Sequence, residues 1–245
     1  MLSFEKNMNF DTIKPLKVLV SSYACGPNWG SEVGMGWNWV IHMSAYAELH
    51  VIVEKEFQAD IEKELPLADL SYTPKFYYID IGIRGRELFW KQGSFSFYSH
   101  YKKWQQAAYA LSENILKTED INIIHQLNLI GFREPGYLWK HADKYPFIWG
   151  PIGGINQIPL NYILSFTPKN LIFYLAKNTL NSLQLSYLPR VKKALDSAAV
   201  VISESSNTQS VLKNKFNIES VVIHETASNL PEISQAKQIS APLKL

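Results

Sequence analysis

Short and nearly continuous apolar runs recur along the chain, and they predict strands that are buried on both faces. The clearest run is Val18, Leu19 and Val20, near the start of the chain. The seven predicted strands cover residues 16–22, 49–53, 75–81, 121–125, 147–150, 198–203 and 220–223.

Segments with apolar residues at helical spacing lie between these strands. In the longest of them, residues 98–117, Tyr101, Trp104, Ala108 and Leu111 fall on one face. The predicted helices cover residues 34–46, 57–65, 98–117, 135–141 and 205–216. Alternation of buried strands and helices predicts an α/β fold, a Rossmann-like parallel sheet flanked by helices.

Composition and charge argue against a nucleic-acid-binding protein and against one that is stabilised by disulfides. The 245 residues include 24 basic and 22 acidic side chains, a net charge of +2, so there is no strong field to attract nucleic acid. Cys25 is the only cysteine, which excludes an internal disulfide and fits a reducing cytosol. The first residues lack the apolar stretch of a signal peptide, and no run of apolar residues is long enough to cross a membrane.

A glycine-rich loop joins the first predicted strand to the first predicted helix. It contains Gly26, Gly30, Gly34 and Gly36. Glycines let the backbone approach a ligand closely, and the helix that follows offers free N–H groups to a phosphate. The spacing matches neither the dinucleotide fingerprint nor the P-loop. The alternative is that these glycines serve only a tight turn and close packing of helix on strand.

Unusual residues collect in the loops that follow the strands, where parallel α/β sheets bind their ligands. These loops are residues 26–32, 125–134, 150–157 and 224–226. We expect them to line one crevice.

Three segments within these regions resemble a known family when they are taken together. They are SYACGPNWGSEVGMGWNWV, IIHQLNLIGFREPGYLW and PFIWGPIGG, in this order along the chain. The set resembles the N-terminal domain of family four glycosyltransferases with the GT-B fold, and is most similar to bacterial enzymes of polysaccharide and lipopolysaccharide assembly. The resemblance covers residues 17–228.

The resemblance implies a retaining glycosyltransferase with two Rossmann-like domains, of which this chain supplies the acceptor-binding one. It implies a loose tail at residues 1–14, the domain at 15–230, and a linker at 231–245 toward an absent nucleotide-sugar domain. The chain alone is then expected to be inactive. No cofactor and no metal are expected, and the sequence has no Asp-x-Asp motif.

In the first loop, the resemblance places Gly26 and Gly30 where the donor's phosphate and sugar approach the backbone. Ser31 and Glu32 are candidate contacts to a sugar. The alternative for Glu32 is that it caps the helix that follows, near its positive end.

The second segment supplies His125 as the candidate catalytic residue, because it is predicted to end the fourth strand at the cleft. Arg133 is a candidate clamp for an anionic group, and Glu134 a candidate base on an acceptor hydroxyl. The alternatives are a histidine satisfied by backbone, a salt bridge for Arg133, and a cap by Glu134 on a helix beginning at Pro135.

In the third segment, Gly153 and Gly154 are predicted to let the backbone approach acceptor or donor, and Asn156 to bind sugar hydroxyls. The alternative is a plain turn.

Residues 144–195 contain no Asp or Glu, and they combine basic with apolar residues. The basic residues are Lys144, Lys169, Lys177, Arg190, Lys192 and Lys193. This composition suits an anionic membrane surface or a polyprenyl-phosphate acceptor. The alternative is a helix packed into the core with its lysines on the solvated side.

The leading hypothesis is therefore transfer of a sugar from a nucleotide-sugar donor to a glycan or polyprenyl-linked acceptor. The expected location is cytoplasmic, with peripheral contact at the inner face of the membrane, and no nucleic-acid partner is expected. The alternative is a non-catalytic Rossmann-like module that binds a glycan, a lipid phosphate or a nucleotide. A nicotinamide-dependent oxidoreductase is disfavoured because its glycine fingerprint is absent.

Overall fold

The computed structural model describes residues 14–82, 87, 91, 95–129 and 131–225. Its strands are β1 (Leu16–Ser22), β2 (Ala47–Glu54), β3 (Lys75–Ile79), β4 (Ile123–Asn128), β5 (Phe147–Ile152), β6 (Val200–Ser203) and β7 (Val221–Val222). They form a seven-stranded sheet in the order β3-β2-β1-β4-β5-β6-β7, and every pairing is parallel.

Helices connect the strands. They are α1 (Ser31–Met43), α2 (Gln58–Glu64), α3 (Phe95–Thr118), α4 (Leu160–Ile163), α5 (Pro168–Tyr187), α6 (Pro189–Ser197) and α7 (Ser206–Phe216). Short 3-10 helices lie at Lys55–Phe57, Leu65–Leu67 and Leu138–His141. The predicted fold class, a Rossmann-like parallel sheet flanked by helices, is confirmed.

The core lies around the central strands. Leu19 and Val20 of β1 are fully buried. Helix α3 packs its predicted apolar stripe inward: the rings of Tyr101 and Trp104 meet the ring of Tyr23 edge-on, at 5.3 and 4.9 Å between centroids. Aromatic pairs in this geometry add to the free energy that burial alone supplies.

Three strands extend further than predicted. β2 covers Ala47–Glu54 instead of residues 49–53, and β4 and β5 gain residues at their carboxyl ends. β4 reaches Asn128 instead of ending at residue 125, since the polar side chains of Gln126 and Asn128 form hydrogen bonds within the core. β5 runs through Gly150 to Ile152.

Helix bounds also differ. The predicted helix at 135–141 is only the 3-10 turn at Leu138–His141, and α1 begins at Ser31 rather than at residue 34. Ser205 caps α7, and its side chain accepts a hydrogen bond from the Thr208 N–H. Among the described residues, no helix has the length and apolar character needed to cross a membrane.

The predicted linker at 231–245 lies outside the described residues, and so does the predicted tail at 1–14 apart from its last residue. The Lys14 ammonium lies 3.2 Å from the Asp120 carboxylate, an exposed ion pair.

Candidate functional site

The crevice between β1 and β4 is the natural ligand site of this fold. The chain builds the sheet outward from β1 to β3 and then returns to place β4 on the other side of β1. Loops at such a switch point diverge and leave a crevice at the carboxyl ends of the strands. Here Asn128, at the end of β4, ties the two loops together: its Nδ2 donates to the Ala24 carbonyl at 2.6 Å.

Three glycines of the first loop are explained by packing. A Cβ at Gly34 or Gly36 would collide with a backbone carbonyl, and a Cβ at Gly26 would lie 3.1 Å from both Phe57 and Val33. The alternative weighed from the sequence, that glycine serves close helix packing, therefore accounts for these three positions.

Gly30 and Gly131 are different. A Cβ built on either would have no heavy atom within 4 Å. Gly30 has φ −91° and ψ −177°, an extended conformation open to any residue, and Gly131 lacks a positive φ. Gly30 immediately precedes α1, and Gly131 pairs with Gly153 in an isolated bridge just past β4 and β5. Neither packing nor backbone conformation requires glycine here, so both positions leave room for a ligand against bare backbone.

Ser31 and Glu32 lie in the first turn of α1. Gly30 occupies the N-cap position and has no side chain that could cap the helix. The alternative in which Glu32 is the cap is therefore wrong, because Glu32 lies inside the first turn. Glu32 is half-buried near the positive end of the helix dipole, which favours its negative charge. Ser31 is exposed and has φ +53°.

His125 does not end its strand. It is the third residue of β4, it is 3% exposed, and its Nε2 lies 2.8 Å from the Gly150 carbonyl. The carbonyl only accepts, so the Nε2–H donates in this bond. Burial lowers the pKa of His125 to about 4, so its imidazole is neutral at physiological pH. The strand-end placement was wrong because β4 extends to Asn128, while the catalytic role stays a prediction.

Arg133 and Glu134 are neighbours in sequence but point to different partners. The Arg133 Nε donates to Gln184 Oε1 at 2.7 Å, and its Nη2 donates to Asn181 Oδ1. These amides are neutral, so they orient the guanidinium without cancelling its charge. Its Nη1 also lies near Gly154, 3.9 Å from where a Cβ would be.

Glu134 is 8% exposed and forms an ion pair with Arg190. The Arg190 Nη1 donates to Glu134 Oε2 at 3.0 Å, and the Arg190 Nη2 donates to Glu134 Oε1 and to the Gly136 carbonyl. The expected cap on a helix beginning at Pro135 is wrong, because no helix begins there. Such a two-pronged pair holds the loop after β4 against α6.

Gly153, Gly154 and Asn156 follow β5 and face a residue that sequence reasoning missed, Glu204. The Glu204 carboxylate occupies the space where a Cβ of Gly153 would be. Asn156 Nδ2 donates to Glu204 Oε1 at 3.2 Å, and the Thr208 hydroxyl donates to the same oxygen at 3.3 Å.

Glu204 is half-buried, and burial is the main reason that its pKa lies above the usual value, with the charge of Glu225 adding to the effect. The signal for Glu204 was available: it directly follows β6, at the same edge of the sheet as the other candidates. A carboxylate with amide and hydroxyl neighbours is a typical partner for sugar hydroxyls.

Other features of the described residues add little to the site. Cys25 is fully buried, which raises the pKa of its thiol and makes it unreactive. A cavity of about 430 Å³ lies near the amino ends of β1 and β2, away from the candidate site. Lys17, His50 and Glu119 are among the residues that line it. No group of three or more metal-ligating side chains occurs in the part of the chain that the structure describes.

Comparison with known proteins gives a fold and nothing finer. No protein-family model and no curated protein sequence matches this chain. Among solved structures, it is similar to the N-terminal domain of trehalose-6-phosphate phosphatase from Candida albicans, with a TM-score of 0.43 and 15% identity. The match covers 81% of this chain and 42% of that one, so this chain spans less than half of that chain's length. A likeness this distant carries no functional information, and the strand order and parallel pairing themselves establish a Rossmann-like α/β protein.

Proposed function

We propose that this chain is the acceptor-binding N-terminal domain of a retaining glycosyltransferase, which transfers a sugar from a nucleotide-sugar to a glycan or lipid-linked acceptor. Each of the three sequence segments that resemble that family includes the carboxyl end of a strand, namely β1, β4 or β5, and the loop that follows it. They support the proposal as a set, because they are distant in sequence and belong to three strands that are neighbours in the sheet.

The chemistry of the edge suits this reaction. Departure of a nucleoside diphosphate needs stabilisation of negative charge, and backbone N–H groups at the uncapped start of α1 offer it. Arg133 adds a charged, oriented guanidinium beside Gly154. Glu204 and Asn156, in the loops after β6 and β5, offer acceptors and donors for sugar hydroxyls.

The observation that carries the proposal is the open space beside Gly30 and Gly131. Neither packing nor backbone conformation requires glycine at these two positions. The direct test fills that space with Gly30→Val, because an acceptor has to reach the donor sugar beside this loop for transfer to occur. Saturation-transfer NMR on the 245-residue chain, with oligosaccharides released from bacterial polysaccharide as the probe, measures binding. We expect a signal with the wild type and its loss in Gly30→Val. The melting temperature should fall only slightly, because valine fits this extended backbone although it is a poorer N-cap than glycine.

Gly36→Ala is the matched control for packing. Its Cβ would collide with the Ala24 carbonyl, so we expect a loss of about 1–3 kcal/mol in stability. An unaltered oligosaccharide signal in Gly30→Val would contradict the proposed site.

The second candidate is a non-catalytic module that binds a glycan, a lipid phosphate or a nucleotide, and the same open glycines support it. Sugar transfer separates the two. Transfer from a radiolabelled nucleotide-sugar by the full-length gene product supports the enzyme, whereas oligosaccharide binding without transfer supports the module.

A further inference from the structure

Helix α5 presents a polar face to the domain and an apolar face to solvent, which is the reverse of an ordinary surface helix. The face toward the domain is polar: Asn181 and Gln184 accept hydrogen bonds from Arg133, and Asn178 Nδ2 donates to the Ile158 carbonyl at 2.8 Å. Among its apolar side chains, only Leu185 is buried. Polar hydrogen bonds, rather than apolar burial, attach α5 to the domain.

The opposite side, which we call the outer face of α5, is apolar and exposed. It consists of Ile172, Phe173, Ala176, Leu180, Leu183 and Tyr187, all exposed in the structure. Their spacing places them within an arc of about 100° around the helix axis. Phe173 is 60% exposed, and Ile172 is 69% exposed.

The segment before α5 extends this surface. In and just after α4, Leu160, Tyr162 and Leu164 are each more than half exposed. The ring of Phe166 lies 5.1 Å from the ring of Tyr174, and the ring of Tyr174 lies 5.2 Å from that of Phe173 on the outer face. A contiguous apolar patch of this kind is uncommon on a soluble monomer, and it marks a surface that is covered by something else.

The charged side chains of α5 are all basic, whereas α6 carries Asp196 as well as Lys192 and Lys193. Residues 144–195 contain no acidic side chain, and Lys169 and Lys177 are exposed on α5. Lys192 and Lys193 are exposed on α6, which begins two residues after α5 ends. Arg190 does not belong to this set, because Glu134 neutralises it.

We propose that the outer face of α5 and the α4 segment dock this protein on an anionic lipid bilayer. Apolar and aromatic side chains enter the boundary between headgroups and acyl chains, and lysines reach back to the anionic headgroups. A protein partner fits less well, since protein interfaces are depleted in lysine. The inference rests on this surface alone and is independent of the proposed function.

Vesicle co-sedimentation of the 245-residue chain tests the proposal. The probes are vesicles of phosphatidylcholine and vesicles of an equimolar mixture of phosphatidylcholine and phosphatidylglycerol. We expect binding to the mixed vesicles, weak binding to phosphatidylcholine alone, and release as salt screens the headgroups. Reversing two charges in Lys169→Glu/Lys177→Glu should lower the partition coefficient by roughly tenfold or more.

The matched control is Lys102→Glu/Lys103→Glu, which makes the same charge change at exposed positions of α3. It should retain most of the binding. Phe173→Ser/Leu180→Ser should lose binding with an unchanged melting temperature, because both side chains are exposed.

Three results would overturn the proposal. One is a failure of the wild type to bind the mixed vesicles. Another is equal loss in the α3 control and in Lys169→Glu/Lys177→Glu, which would show attraction without a defined surface. The third is a dimer in sedimentation velocity that Phe173→Ser/Leu180→Ser disperses while vesicle binding is unaffected, which would make this face an interface between copies.

Discussion

Helices α3 and α5 are both long, at 24 and 20 residues, and both carry a stripe of large apolar side chains, yet they present it to opposite sides. In α3 the stripe faces the sheet, and Trp104 is completely buried against Tyr23. In α5 the stripe faces outward, and Phe173 is 60% exposed.

The difference follows from what each helix meets. α3 lies over apolar and aromatic side chains of the central sheet, so burying its stripe removes apolar area from water. α5 meets the guanidinium of Arg133 and the backbone of Ile158, which need hydrogen-bond partners when they are covered. Amides on α5 supply these partners, and its apolar residues are left on the outside.

Truncation of one large side chain in each stripe should affect α3 and α5 very differently. Trp104→Ala should cost about 3–5 kcal/mol in unfolding free energy, since it empties a fully buried site. Phe173→Ala, its counterpart in α5, should change stability by no more than about 0.5 kcal/mol. Urea unfolding measures both, and similar losses would mean that the stripe of α5 is buried in solution.

The sheet side also carries a pH-dependent contribution from His125, which α5 lacks. Its folded pKa of about 4 lies below its ordinary value of 6.5, so the unfolded chain binds more protons between these values. Stability should therefore rise with pH from about 4 to 6.5, by up to roughly 3 kcal/mol, and fall as acid is added. Urea unfolding of the wild type and of His125→Gln across this range should show the extra slope only in the wild type.

His125→Ala tests the predicted catalytic role of the same residue. Turnover by the full-length enzyme that falls well beyond the loss of folded protein supports that role. Near-normal turnover by the folded variant would leave His125 with the structural task of holding Gly150.

The smallest expected effect concerns the polar attachment of α5. Arg133→Met removes the hydrogen bonds to Asn181 and Gln184, at a cost of about 1–2 kcal/mol. Amide hydrogen exchange should speed up in α5 and stay unchanged in α3, because only α5 loses an anchor. Lys177→Met, at an exposed position on α5, is the control. Equal protection of α5 in both variants would contradict attachment through Arg133.

The local pattern of apolar residues predicted an element correctly where the structure buries those same residues. β1 has the predicted bounds, Leu16–Ser22, because an apolar run at the centre of a parallel sheet is buried on both faces. The stripe of α3 was correct for the same reason. β4 was misjudged because Gln126 and Asn128 look like the start of a loop, although tertiary hydrogen bonds keep them in the strand.

Most of the candidate residues lie in loops that follow strands, as the sequence indicated, although His125 lies within β4. The sequence did not distinguish among similar residues in those loops. Of the glycines in the first loop, only Gly30 has open space beside it. Glu134 is committed to Arg190, 56 residues away, and Glu204 meets Asn156 across two loops. Such distant pairs leave no mark in local spacing.

The sequence by itself determined the α/β class, the central strands and the existence of α3, since these depend on the period of apolar residues along a short segment. It also determined that residues 144–195 lack acidic side chains. Only the tertiary structure decided that His125 is buried, that Gly30 faces open space, and that α5 presents its apolar face outward. A helical period shows which residues share a face, but the groups packed against the helix decide which face is buried.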